Sequence, residues 1–386
     1  MREIPDITAL QRGRFRGFSL VELLVAAAIG IIASLAIFQV FAVFEGQKRT
    51  TTSGGEAQTS GTLALFTVER ELRQAGYGIN NLEFLGCQIQ GRDSVSATNF
   101  TLELIPVKIT QGALGAPDTI TVMYGSGELL PNPANITQNM PSASSDFKVS
   151  NRYGFEEGNI VIAAEAGKDC TLAQVSNLPG ALGQTENVIH NPGTYTDPTT
   201  GTQKDIRYNP SAFPPGSGIA YTTNAKLFNI GSLPANNIYS IQGGQLTLQR
   251  ALFAASPPAA TPLYDGVVQL QAQYGKDDGV NDGTVVHASY TANDGIIDKF
   301  DEVQPADAAQ WAQVLAARVA VVARSGLYEK DVVSPPTIRM WEDSGAAPTT
   351  TGPVWTLNDA PGVEERHYRY KVFQTVVPIR NMIWRP

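Results

Sequence analysis

The sequence is poor in the groups from which most active sites are built. Its 386 residues include three histidines and two cysteines, and the histidines (His190, His287 and His367) are scattered along the chain. One imidazole alone makes no site, and each reads as a partly exposed structural residue. No G-x-S-x-G, H-E-x-x-H, phosphate-binding loop or C-x-x-C is present. That removes the usual marks of hydrolase, metalloprotease, nucleotide and thiol-redox chemistry, and the expectation is that the chain is not an enzyme. Charge is scarce too, at 17% of residues, and the formal net charge is −8. Phosphate binding needs a basic patch, and no Lys/Arg block lies beyond the first residues, so nothing points to direct nucleic-acid binding.

Glycine, proline and apolar residues are plentiful: 36 Gly, 24 Pro and 42% hydrophobic content. The mixture suggests a loop-rich extracytoplasmic domain with material for one large or two modest cores. Cys87 and Cys170 are either two buried thiols or one disulfide. The disulfide follows if the domain lies in an oxidising compartment.

One apolar run stands apart. From Phe18 to Phe44 there is a single charged residue, Glu22, in 27 positions, and no proline. A helix of that length reaches about 40 Å, more than the roughly 30 Å hydrocarbon core of a bilayer. Arg12, Arg14 and Arg16 abut the run on its N-terminal side. The positive-inside rule then keeps that end cytoplasmic and sends everything after about residue 45 across the membrane. An ordinary secretory signal does not fit. Its apolar region would be shorter, and its small-residue cleavage site would follow the run, whereas Gly17 precedes it.

The stretch "RGFSLVELLVA" resembles the class III signal of type IV pilins and type II secretion pseudopilins. In those proteins a basic leader ends in Gly, an apolar residue follows, and Glu is fifth in the mature chain. The resemblance implies that prepilin peptidase cuts between Gly17 and Phe18 and that the new Phe18 amine is N-methylated. Glu22 then has two readings. It is a tolerated charge near the membrane interface, or it pairs with the Phe18 amine of a neighbouring subunit and sets register during assembly. Intramembrane ionisable residues favour the second.

Beyond the span, Leu65, Val68, Glu69, Leu72 and Arg73 fall at helical spacings until Gly76 and Gly78. Gly54, Gly55 and Gly61 predict a weak or broken stretch within this continuation, or a plain linker. The organisation expected is a leader over residues 1–17, a transmembrane and filament-core helix over 18–44, its continuation over 45–80, and a β-rich head over 81–386. Strand patterns occur in "TLELIPVKIT", "DTITVMYG", "GNIVIAA" and "GVVQLQAQYG", and "NIYSIQGGQLTLQR" contains a hairpin-like turn. Residues 131–148 and 176–218 read as surface loops. "PADAAQWAQVLAARVAVVARSG" predicts a helix carrying Trp311, Val314 and Leu315 on one face, with Asp307 in its first turn, turning into a strand near Arg318. A final strand runs through Tyr368, Tyr370 and Val372, with Arg369 and Lys371 guarding an edge.

"ELRQAGY", "VQLQAQYGKDDG", "WAQVLAARVAVVARS" and "YKVFQTVVPIRN" occur in an order similar to the PilW family of minor pilins. Between Cys87 and Asp265 the likeness is slight. It implies an α+β, pilin-like fold, with a long N-terminal helix against a β-rich head, and a role in pilus initiation near the tip. The partners implied are prepilin peptidase, the major pilin, other minor pilins, a PilY-type adhesin, the inner-membrane assembly platform and, before assembly, the membrane itself. The localisation implied is the Gram-negative inner membrane and then the pilus. A J-type pseudopilin of type II secretion stays open as an alternative, because the leader serves both.

One segment could bind a metal. Asp277, Asp278, Asn281, Asp282, Asn293, Asp294 and Asp298 are interleaved with glycines. Such oxygen-bearing side chains suit Ca²⁺. They equally suit a pair of Asx-type turns, the spacing is not that of an EF-hand, and no other cofactor is implied.

Overall fold

The computed structural model describes residues 17–79, 81–127, 132–183, 186–209, 218–252, 259–286, 288–341 and 353–383. The basic leader up to Arg16, and His287, lie outside these. The chain divides into two compact units between Ser53 and Gly54.

No proline interrupts residues 18–74, and there the chain forms one helix, Leu20–Gln74. The expected weak stretch at Gly54, Gly55 and Gly61 does not break it. Thr51, Thr59 and Thr62 turn their hydroxyls back to the carbonyls of Gln47, Gly55 and Gln58 at 2.8–3.0 Å. These threonines bond within the helix instead of competing with it. The helix ends at Gln74, short of the expected residue 80, because Gly76 and Gly78 take left-handed backbone conformations at φ +82° and +77°. Such residues close helices.

In the second unit the helix buries Ala57, Gly61, Ala64, Val68 and Leu72, one face at helical spacing. That face joins a core formed by two sheets. One is five-stranded and antiparallel, in the order Thr261–Asp265, Gln245–Arg250, Ala235–Gln242, Thr119–Tyr124, Val107–Thr110. Its central hairpin turns on Gly243 and Gly244, both at positive φ, as a two-residue hairpin loop requires. The other is four-stranded, in the order Lys299–Asp301, Val267–Lys276, Val314–Arg324, Tyr370–Pro378.

Val314–Arg324 corrects the sequence reading. The helix expected there is only Ala308–Ala312, capped by Asp307, whose carboxylate accepts the Gln310 amide at 2.8 Å. The strand starts at Val314, not near Arg318, and takes in both Val314 and Leu315. One face of it, with Ala317, Val319 and Val321, meets the main core. The other, with Ala320 and Val322, meets Ile338, Met340 and Leu357. A strand covered on both faces reads as a continuous apolar run, without alternation.

The third sheet has six strands, in the order Thr98–Glu103, Gln88–Asp93, Cys170–Gln174, Ile160–Ala164, Lys226–Gly231, Ala134–Asn135. The segments expected as surface loops contribute to a core of their own beside it. Met140, Phe147 and Val188 are buried there with Val149, Tyr221 and Leu227 from outside those segments. Short bridges such as Phe147–Lys148 with Asn187–Val188 order them. Their Pro, Asn and Gly content conceals the few large apolar residues that decide the packing.

Candidate functional site: the helix start and the head

Gly17, Phe18 and Ser19 precede the helix, and Glu22 lies in its first turn. The Glu22 amide donates to Ser19 Oγ at 3.1 Å, and the Ser19 amide donates to Glu22 Oε2 at 3.2 Å. These reciprocal bonds form a capping box, S-x-x-E, which satisfies donors a helix start leaves without partners. The pattern stands in "FSLVE", so the cap was legible, but the sequence reading gave Glu22 only interface and assembly roles.

Phe18 is 84% exposed, and Leu20, Ile32, Phe38, Phe41 and Phe44 are exposed as well. Among the described residues this is the one helix long and apolar enough to cross a membrane. So much apolar surface is stable only when lipid or other apolar helices cover it.

In the head, Cys87 and Cys170 form a disulfide with Cα atoms 5.9 Å apart. It sits where Gln88–Asp93 and Cys170–Gln174 pair in parallel, with Ile89 opposite Cys170.

The acidic segment is organised as turns. Asp277 accepts the amides of Asp294 and Gly295 at 3.2 and 2.7 Å, and Asp298 accepts that of Gly279 at 2.6 Å. Asp278, Asn281, Asp282 and Asp294 each accept an amide two residues on, the Asx geometry. Asn293 adopts φ +64°, and Lys299 pairs with Asp278 at 2.7 Å. Among the described residues no three His, Cys, Asp or Glu side chains form a group able to hold a metal ion.

His190 is buried against Phe147, with Nε2 3.0 Å from the Ser145 carbonyl, and burial lowers its pKa. His367 stacks on Tyr328 in another region, with Nδ1 2.8 Å from the Glu329 carbonyl. Neither imidazole faces a nucleophile in these contacts.

A family model described as the type IV pilus-assembly protein W matches residues 236–381. A second, the prokaryotic N-terminal methylation motif, matches residues 12–38, and so covers Gly17, Phe18 and Glu22. The first runs from the central hairpin of the five-stranded sheet through the four-stranded sheet. It favours pilus assembly over the J-type pseudopilin. No curated protein and no solved structure matches the chain.

Proposed function

We propose, on the premise that this is a membrane-anchored, type IV pilin-like protein with a PilW-family region and a minor pilin of pilus assembly, how its N-terminus does that work. Prepilin peptidase cuts between Gly17 and Phe18 and the Phe18 amine is methylated. The carboxylate of Glu22 then takes the Phe18 amine of a neighbouring subunit as its partner. A subunit in the wrong register leaves that charge uncompensated in an apolar bundle, which disfavours misplacement. The head lies on the periplasmic side of the inner membrane until the subunit is drawn into the filament. Its place is near the tip, with other minor pilins and a PilY-type adhesin, upon the inner-membrane assembly platform. The head serves contact rather than catalysis.

The observation that carries this reading is the methylation motif over residues 12–38, whose part from Leu20 onward lies in a helix with exposed apolar side chains. The test is Gly17→Ala in the full chain, in cells with and without the peptidase. Wild type shortens only with the peptidase and appears in sheared pili. The variant stays full length and membrane-bound. Equal mobility of wild type with and without the peptidase refutes the processing step.

A further inference from the structure

Between the head-packed part of the helix and the five-stranded sheet lies a groove of about 700 Å³. Leu63, Phe66 and Arg70 form its helical wall, and Leu233, Arg250 and Leu263 belong to the opposite side. The floor is fixed. Buried Glu71 accepts Tyr124 Oη at 3.0 Å and Asn237 Nδ2 at 2.8 Å, and the hydroxyls of Thr67 and Tyr264 meet at 2.9 Å. The rim is apolar and open to solvent, with Phe66 59% and Leu233 70% exposed.

Its charge is one-sided. Glu71 is the one carboxylate of the lining, and it is buried and already engaged. Arg70 reaches it only at 3.7 Å, with its own side chain 61% exposed. Arg250 is exposed and has no ion pair among the described residues. Arg250 lies opposite Asn237 on the neighbouring strand, and Asn237 donates to Glu71, the residue that follows Arg70, so both arginines border the same buried carboxylate. A chain of net charge −8 thus presents two cations beside exposed Phe and Leu side chains. Complementary potential selects a partner of opposite sign and speeds its encounter.

We infer that this groove receives the head of a neighbouring pilin subunit, through an apolar side chain flanked by a carboxylate. The apolar side chain lies against Phe66, Leu233 and Leu263, and the carboxylate meets Arg70 and Arg250. This rests on the reading that the chain is built into pili. A buried aromatic anchor beside a paired arginine is the arrangement that concentrates binding energy at protein interfaces.

The test places a photoreactive residue at Leu233 of the full chain, in cells carrying their own pilins, and irradiates both membranes and sheared pili. A second probe at Val95, which is 79% exposed, measures background. The expected result is an adduct from the Leu233 probe with another pilin, mapped to a peptide containing Asp or Glu. Arg250→Glu should reduce it at least about tenfold, since like charges face each other. Phe66→Ala, a truncation outside the core, should weaken it independently of charge. Retention of the disulfide and of protease resistance shows that each variant is folded. No pilin adduct in either fraction, equal adducts from both probes, or an adduct indifferent to Arg250→Glu overturns the inference. An adduct confined to membranes, with the chain missing from pili, supports the groove and refutes the place in the filament.

Discussion

At the scale of single residues, Glu22 does two things that one substitution can separate. Its carboxylate closes the capping box with Ser19, and its charge is the proposed partner of a methylated amine. Glutamine also closes a capping box, but carries no charge. Glu22→Gln should therefore keep the helix start and membrane insertion while removing the chain from sheared pili. Glu22→Ala should also lose the bond from the Ser19 amide to the carboxylate while keeping that from the residue-22 amide to Ser19 Oγ. Quantitative immunoblots of membrane and pilus fractions check this, and full incorporation of Glu22→Gln would sink the register role. The position of Glu22 was readable because Gly, Phe and Glu stand at fixed offsets before an apolar run. The contacts of Asp277 and Asp298 were not. The same Asp, Asn and Gly residues build turns or ion sites, and the turn bonds they make here could not be read from their order.

At the scale of elements, the N-terminal helix was the most legible feature, since an uninterrupted apolar run has one structural meaning. The helix runs unbroken past its glycines, and Gly61 has a packing role that the sequence did not show. Gly61 is a contact point where the ring of Phe373 and the methyl of Ala323 lie against the helix, and a Cβ there would collide with the ring. Gly61→Val should destabilise the head by about 1–3 kcal/mol through overpacking. Phe373→Leu should recover part of that loss, and a double-mutant cycle followed by chemical denaturation measures the coupling. Additive effects would show that the two sites do not touch. Lys371 donates to Gln58 at 3.0 Å from the same strand, Tyr370–Pro378. The edge position expected for that strand is the one it takes in the four-stranded sheet. Val314–Arg324 was harder to read because burial on both faces erases the alternation that marks a strand.

At the scale of the whole molecule, the pairing of distant segments was beyond reach of the sequence. The parallel contact of Gln88–Asp93 with Cys170–Gln174 joins stretches with no local pattern in common. Electrostatics also has a global consequence. Burial pushes Asp118 up to about 6, against two amide bonds from Gly112 and Ala272 that favour its charged form. The folded state thus holds this proton more tightly than the unfolded chain, whose Asp titrates near 4. Its contribution to stability is complete below about pH 4 and falls as pH rises towards about 6. Burial also opposes the charge of Asp93, but the hydrogen bond from Arg207 and backbone amides outweigh it and hold the pKa below its usual value. That contribution is lost only at more acid pH. Buried His190, with its pKa lowered, acts in the opposite sense as pH falls below about 6.5, so the Asp118 contribution is read as the gain in melting temperature from pH 7.5 to pH 5 that the full chain in detergent shows over Asp118→Asn. Asp118→Asn should flatten that slope while lowering stability throughout, because an amide cannot accept from both donors. The disulfide has a different kind of consequence. If the chain is built into a filament as proposed, pulling on that filament loads it, and a covalent link across a sequence separation of 83 removes that length from what force can draw out. At about 3.3–3.6 Å per extended residue, single-molecule pulling on the reduced head should yield roughly 280 Å more contour than on the oxidised head. The chain's two cysteines thus set a limit on how far the subunit can stretch before its ends must part.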